Sequence, residues 1–143
     1  ASRGLGDVYK RQGLDRPALL PQQIEGLMLG FADLVFESGG CFQVLDYKSN
    51  RLGAGPVHYT PTSLQAAVLE HRYDVQAALY LLALHRLLRN RLGVRYRMDE
   101  HLGSAHFLFL RGIDQADGHL VSIAHDPAWL QPLDSMFASP QPT

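Results

Sequence analysis

Two carboxylates and one amine have the residue types and the spacing that chemistry on a phosphate ester needs. Asp46 and Lys48 close the apolar run 44–48, and alternate residues of a strand project from the same face. An acid and an amine at the end of a hydrophobic strand cost free energy unless a function uses them. Asp33 interrupts the preceding apolar run in the same way. Pairing of the two runs across a turn at 38–40 would therefore bring Asp33 close to Asp46.

These groups suit a divalent metal ion and an attacking water. Asp33, Asp46 and the backbone carbonyl of Tyr47 would offer the oxygen ligands that Mg²⁺ prefers. Mg²⁺ would activate water and neutralise charge on the phosphate, and Lys48 would stabilise the negative charge that develops. The structural alternative is an Asp46–Lys48 ion pair on an edge strand, which would add little to stability. The pattern predicts a site for one or two Mg²⁺ ions and leaves that alternative open.

Further polar side chains lie in a region of helical periodicity. Gln76 and Tyr80 are four residues apart and Tyr73 shares their face, so an amide and a phenol could orient water or hold phosphate beside the metal. Such pairs are also common on half-buried helix surfaces. His71 and His85 are candidate metal ligands, but no His-Glu-x-x-His spacing is present and partly buried or surface histidines are the commoner case.

Cationic and thiol side chains carry less information. Five arginines near the end of the helical region suit the negative end of the helix dipole and could also steer phosphate: Arg86, Arg89, Arg91, Arg95 and Arg97. The single cysteine, Cys41, has no catalytic histidine arrangement and is predicted to be a core thiol. One cysteine excludes intramolecular disulfides and all-cysteine metal or iron–sulfur sites within this sequence, and it fits a reducing compartment.

The elements that must position these groups follow from periodicity, glycine and proline. The sequence first predicts a strand at 26–37, a Gly39-Gly40 turn and a central strand at 41–48 that is covered on both faces. A loop at 50–61 and a helix at 62–92, with a break near 71–74, are predicted next. The last predicted elements are a strand at 105–110, a loop or short strand at 113–122 and a helix at 127–137. Thr62 or Ser63 is the expected first helix cap and Asp74 the second. The result is a small α/β sandwich with a mixed sheet.

Length and composition allow one domain. The 143 residues are 46% hydrophobic with a net charge of −1, typical of a soluble globular protein, and no apolar stretch approaches the ~20 residues that cross a bilayer. No dinucleotide-binding or Walker-type glycine motif is present. Residues 1–24 are predicted to be an irregular lead-in, with about the first 12 non-native in origin and without a secretory signal. Residues 25–143 are predicted to form the domain, as a fragment of a larger protein.

Several motifs taken together resemble the RecB-type nuclease domains of the PD-(D/E)xK, restriction-endonuclease-like superfamily. The resemblance extends over about 26–137, and each motif is weak alone, whereas the combination is specific. The matching segments are Gly30–Phe36, Leu45–Asn50 with Leu52-Gly53, His71–Gln76 with Leu79-Tyr80, Leu82–Arg86 and Phe107–Gly112.

The resemblance implies a restriction-endonuclease-like α/β core, with a mixed central sheet that contains an antiparallel hairpin and is flanked by helices. It also implies metal ligation by Asp33, Asp46 and the Tyr47 carbonyl, a catalytic Lys48, and a Gln-x-x-x-Tyr motif at Gln76 and Tyr80. The family places a metal-binding histidine on a helix upstream of the first strand. Nothing before Gly26 matches that helix, so the helix and one ligand are expected to be missing.

The implied activity is Mg²⁺-dependent exonucleolytic hydrolysis of DNA within a RecBCD-type helicase–nuclease, in double-strand break repair and recombination. The implied partners are single-stranded DNA ends, a helicase domain in the same parent chain and RecC- and RecD-like subunits, in the cytoplasm of a bacterium and without a membrane. An AddA-type or phage-type nuclease of the same superfamily is the nearest alternative. A non-catalytic DNA-binding or subunit-docking module is the alternative from another class.

Overall fold

The computed structural model describes residues 32–138, and these residues fold as a mixed sheet with helices. The strands are β1 (Leu34–Ser38), β2 (Cys41–Lys48), β3 (Leu102–Phe109) and β4 (Leu120–Ala124), and the α-helices are α1 (Pro61–Glu70), α2 (Tyr73–Leu92), α3 (Met98–His101) and α4 (Pro127–Ala138). Short 3-10 helices lie at Pro56–His58, Gly93–Arg95 and Leu110–Gly112. The predicted lead-in over residues 1–24 lies outside the described residues.

The predicted hairpin is confirmed. β1 and β2 pair antiparallel with Ser38 opposite Cys41, and the turn residues Gly39 and Gly40 have φ angles of +61° and +85°. A two-residue hairpin turn with positive φ at both positions favours glycine at each, because side chains are strained there. β1 begins at Leu34, so Asp33 precedes the strand instead of interrupting it. The part of the predicted strand at 26–31 lies outside the described residues.

The sheet has the order β1-β2-β3-β4, with β2 and β3 parallel and the two outer pairs antiparallel. β2 is therefore central, as predicted, but it is not covered on both faces by the described residues. Its burial alternates: Val44 and Asp46 are buried, while Tyr47 is 44% exposed. One face of the sheet packs on the helices and the other is half-buried. Because this strand is a nearly continuous apolar run, the sequence did not show that buried and exposed side chains alternate along it.

The predicted break in the helical region is also confirmed, but with different caps. The Thr60 side chain accepts the Ser63 backbone N–H at the start of α1, and Pro61 supplies the fixed φ that suits a first helical position. The residue before α2 is Arg72, which has the left-handed φ of +57°. Asp74 lies inside the first turn and forms an ion pair with Arg72. The expected caps at 62–63 and at Asp74 were therefore wrong.

The remaining elements follow the predictions with small shifts. β3 starts three residues before the predicted strand and ends at Phe109, and the segment predicted as loop or short strand contains β4. α2 ends at Leu92 and is capped by Gly93, whose φ is +56°, where the sequence predicts the end of the helix. Buried side chains of α1, α2, α4 and the sheet form one hydrophobic cluster. Within the described part of the chain, no helix is long and apolar enough to span a membrane.

Candidate active site

The candidate site lies where the carboxyl ends of β2 and β3 meet the first turns of α2. β2 and β3 are parallel, so their carboxyl ends lie at the same end of the sheet. Asp46 and Lys48 are two residues apart and both project toward the helices, because Val44 on the same face is fully buried in the core. The apolar run therefore delivers an acid and an amine side by side under α2.

The Asp46 carboxylate is the centre of a hydrogen-bonded group and is only 5% exposed. Its Oδ2 accepts the Tyr80 hydroxyl at 2.9 Å and the Lys48 ammonium at 3.1 Å. Burial raises the pKa of Asp46 above its ordinary value, against the opposing effect of the Tyr80 and Lys48 donors; the neighbouring Asp33 carboxyl raises it further. The site thus holds an acid that is costly to ionise in the absence of a further positive charge.

Asp33 supplies the second carboxylate. Its Oδ2 accepts the backbone N–H of Tyr47 at 2.7 Å, which ties the residue before β1 to the end of β2. The antiparallel register of the hairpin places Asp33 one residue beyond the Leu34–Leu45 pair, so it lies beside Asp46 as the sequence predicts. Unlike Asp46, Asp33 is exposed.

Lys48 is held by three different groups. Its Nζ donates to Asp46 Oδ2 at 3.1 Å and to Gln76 Oε1 at 2.9 Å, and it lies 4.0 Å from the centroid of the Tyr73 ring. The side chain is 13% exposed. A lysine has long and flexible torsions, so contacts on several sides are what fix its ammonium at one place.

The first turns of α2 supply the side chains that face β2. Tyr73, Gln76 and Tyr80 are spaced by three and four residues, so they line one face of the helix. Burial raises the pKa of Tyr80, and the Asp46 carboxylate raises it further, so the phenol stays protonated as a donor. The predicted helical face is thus the one that contacts the strand residues.

The donor set fits a hard divalent cation. The exposed Asp33 carboxylate lies beside the buried Asp46 carboxylate, and Lys48 and Tyr80 both donate to Oδ2 of Asp46. Oxygen donors of this kind suit Mg²⁺, and a cation beside Asp46 would favour its ionised form. The structure brings Asp33, Asp46, Lys48, Gln76 and Tyr80 together, while their roles as ligands or catalytic groups stay predictions.

The histidine candidates do not join a metal-ligating group. His71 is exposed and stacks on Tyr73, and His85 is buried with its Nδ1 at 2.7 Å from the Tyr96 hydroxyl. In the part of the chain that the structure describes, no group of three or more His, Cys, Asp or Glu residues is placed so that it could hold a metal ion. Cys41 is half-buried and donates to the Glu100 carbonyl, so it is less enclosed than a core thiol.

The basic run lies away from the site. Arg86 and Arg89 bind Asp134 of α4, and Arg89 is thirteen residues, or about 20 Å of helix, beyond Gln76. The structure therefore shows a structural role for Arg86 and Arg89, which is to bind α4 through Asp134. Arg91, Arg95 and Arg97 are exposed at the same far end of α2 and in the turn that follows.

Three contacts around the site have no signal in the sequence. The Tyr73 hydroxyl meets the Asn50 side chain, and the Tyr59 hydroxyl donates to the Asn50 carbonyl at 2.7 Å. Arg111 donates through Nε to the Ser49 carbonyl at 2.9 Å. Two of the three acceptors are backbone carbonyls, which every residue carries, so residue type alone could not reveal these pairs.

The four-stranded mixed sheet with its hairpin and flanking helices is a restriction-endonuclease-like core, with acid and lysine side chains at the carboxyl end of its central strand. No protein-family model matches the chain. The chain carries a RecB-type domain, because it is similar to curated proteins of that name over most of its length.

The relatives are long proteins. "RecBCD enzyme subunit RecB" of Escherichia coli (strain K12) is 48% identical over 99 residues, which are 69% of this chain and 8% of that protein. The protein of the same name from Mycolicibacterium smegmatis is 35% identical over 127 residues, 82% of this chain and 11% of that protein. The one from Haemophilus influenzae is 39% identical over 93 residues. The chain thus spans about a tenth of the length of these relatives.

Proposed function

We propose that the chain is a Mg²⁺-dependent DNA nuclease domain that hydrolyses phosphodiester bonds. The observation that carries the proposal is the contact of Lys48 with Asp46 at the end of a central strand, with Asp33 beside them. Two acids and an amine placed together, with one of the acids exposed to solvent, are the groups that phosphodiester hydrolysis uses. A stability role explains the arrangement poorly, because a buried ion pair often stabilises less than apolar packing.

Each side chain has a distinct task in this proposal. Asp33, Asp46 and the Tyr47 carbonyl would hold Mg²⁺, which supplies Lewis-acid polarisation of the phosphate and activation of water when bound. Lys48 donates hydrogen bonds to the oxygen atoms on which negative charge develops. Gln76 holds the Lys48 ammonium at 2.9 Å, and Tyr80 fixes the orientation of the Asp46 carboxylate. Catalysis here depends on the placement of these groups.

The relatives extend the proposal to a larger assembly. Because they are named as subunits of a RecBCD enzyme, we propose that the domain serves a helicase–nuclease in double-strand break repair and recombination. Its substrate would be single-stranded DNA ends, presented by a helicase domain of the same parent chain, with RecC- and RecD-like subunits as partners. We propose the bacterial cytoplasm as the location of this activity, because the relatives are bacterial proteins.

The test is degradation of linear single-stranded DNA with Mg²⁺ and with EDTA. We expect Lys48→Ala to lower the rate by about 10²–10³-fold, because it removes a charge-stabilising donor from a preorganised site. Arg91→Ala is the matched control, since it removes an exposed cation at the far end of α2. The same variants are compared in a longer protein that contains the chain. Folded proteins without Mg²⁺- and Lys48-dependent degradation in either form would contradict the proposal and favour a non-catalytic DNA-binding or docking module.

A further inference from the structure

Tyr73 contacts the Lys48 ammonium through its ring. Lys48 Nζ lies 4.0 Å from the ring centroid, within the range of a cation–π interaction. The oxygen atoms of Asp46 and Gln76 lie 3.1 and 2.9 Å from the ammonium, and the centroid of the Phe107 ring lies farther away, at 5.4 Å. The Tyr73 ring is thus the nearer of the two aromatic rings that, with the oxygen acceptors, surround the ammonium.

The Tyr73 ring is itself held in place. It stacks on Phe107 of β3 and on His71, with centroid distances of 5.4 Å in both cases. Its hydroxyl lies 3.0 Å from Asn50 Nδ2 and 3.1 Å from Asn50 Oδ1. Because the hydroxyl is engaged by Asn50, the ring and not the phenol oxygen is the part that contacts Lys48.

The Asn50 anchor is supported in turn by the loop after β2. The Tyr59 hydroxyl donates to the Asn50 carbonyl at 2.7 Å and accepts the Leu52 backbone N–H at 3.3 Å. Tyr59 is buried, with 4% of its surface exposed. The loop, the start of α2 and the end of β2 are therefore joined through Tyr73.

We propose that Tyr73 is a positioning residue, whose ring, held by stacking on Phe107 and His71, fixes the Lys48 ammonium in the geometry that hydrolysis needs. This inference rests on the proposed nuclease function. A lysine held only by two acceptors keeps rotational freedom about its last torsions, and an ammonium displaced by about 1 Å loses most of its effect on a transition state. The ring removes that freedom without competing for the ammonium's hydrogen bonds.

The first experiment compares Tyr73→Phe, which keeps the ring, with Tyr73→Leu, which removes it. We expect Tyr73→Leu to lower kcat by about 10–100-fold with KM for single-stranded DNA changed by less than about threefold, and Tyr73→Phe to stay within about threefold of wild type. Leu87→Ala is the control for general loosening, because Leu87 packs on the core in the same helix without contacting Lys48. Equal losses in both Tyr73 variants, or a wild-type kcat in Tyr73→Leu, would overturn the proposal.

A second measurement needs no turnover. The chain has two lysines, Lys10 and Lys48, so lysine-selective ¹³C labelling gives two ε-methylene signals, and Lys10→Arg identifies each. The aromatic ring beside Lys48 shifts its signal upfield. We expect that shift to persist in Tyr73→Phe and to become much smaller in Tyr73→Leu, where only the more distant Phe107 ring remains beside Lys48. If the wild type shows no nuclease activity, the proposed function fails while this shift still decides whether the ring positions Lys48.

Discussion

Asp46 is the residue whose surroundings determine how the site behaves. Its carboxylate is 5% exposed, and two donors on the same oxygen only partly offset the loss of water. Burial therefore keeps the pKa of Asp46 raised, and Asp33 beside it acts in the same direction. Each hydrogen-bond donor to Asp46 must therefore contribute measurably to stability, because the loss of a donor would leave a buried acceptor with one hydrogen bond fewer.

Tyr80→Phe tests this reasoning. The variant keeps the buried ring and removes the hydroxyl that donates to Asp46 at 2.9 Å, so we expect a loss of about 1–2 kcal/mol in the free energy of unfolding, measured with urea. Tyr96→Phe is the matched control: it removes a hydroxyl bonded to His85 and should destabilise similarly without altering nuclease activity. An unchanged stability in Tyr80→Phe would show that the hydrogen bond contributes nothing.

A substitution of Asp33 can distinguish its contribution to metal binding from its contribution to folding. It is exposed, and Asn can still accept the Tyr47 N–H, so Asp33→Asn should change stability by less than about 0.5 kcal/mol. We expect Mg²⁺ to raise the Tm of the wild type, because a ligand that binds only the folded state stabilises it, and this rise to be lost in Asp33→Asn. Glu37→Gln in β1 is the charge-matched control and should keep the rise. Equal rises in all three proteins would remove Asp33 from the ligand set.

At the scale of elements, the junction between α1 and α2 determines where the helical face points. Two residues, His71 and Arg72, separate the helices, and the left-handed conformation of Arg72 redirects the chain so that α2 starts at Tyr73. A residue with a Cβ is strained in this conformation by about 1–2 kcal/mol. The position of the site therefore depends on a backbone conformation that the Cβ atom of Arg72 makes unfavourable.

Arg72→Gly should stabilise the protein. Glycine adopts a φ of +57° without strain, and the exposed Arg72–Asp74 pair that it removes contributes little, so we expect a gain of about 0.5–1 kcal/mol in the free energy of unfolding. Arg91 is an exposed residue of α2, and we expect Arg91→Gly to lower the free energy of unfolding by a similar amount, because glycine is unfavourable in a helix. Both are measured by thermal unfolding. Losses in both variants would mean that the junction is not strained.

For the molecule as a whole, patterns within short segments predicted most of the fold. The Gly39-Gly40 hairpin, the helix break and the Gly93 stop follow from local chemistry, and Asp33 with Asp46 followed from the hairpin register. The alternating burial of β2 did not follow, because it depends on which face α1 and α2 cover. The Tyr73–Asn50 anchor joins residues 23 apart in sequence, and no local pattern encodes such a contact.

Long-range polar contacts also hold α4 against α2. Asp134 accepts hydrogen bonds from Arg86 and Arg89, and Arg86 also donates to the Asp134 carbonyl at 2.8 Å. Burial alone would raise the pKa of Asp134, but the two guanidinium groups outweigh burial and lower it. Two arginines of the basic run, Arg86 and Arg89, thus anchor α4 to the helix that lines the site. Loss of this anchor should loosen the whole domain.

Asp134→Asn tests that anchor and its pH dependence. The variant leaves Arg86 and Arg89 without a counter-charge, so we expect a loss of about 1–3 kcal/mol in unfolding free energy at pH 7. The pKa of Asp134 is lower in the folded than in the unfolded protein, so its charge stabilises fully above the unfolded value of 3.8 and ceases to do so as pH falls through the folded value. The difference between wild type and variant in urea should be constant at neutral pH and shrink below 3.8, whereas the exposed Asp117→Asn should show neither effect. A difference that stays constant in acid would show that hydrogen-bond geometry, and not charge, anchors α4.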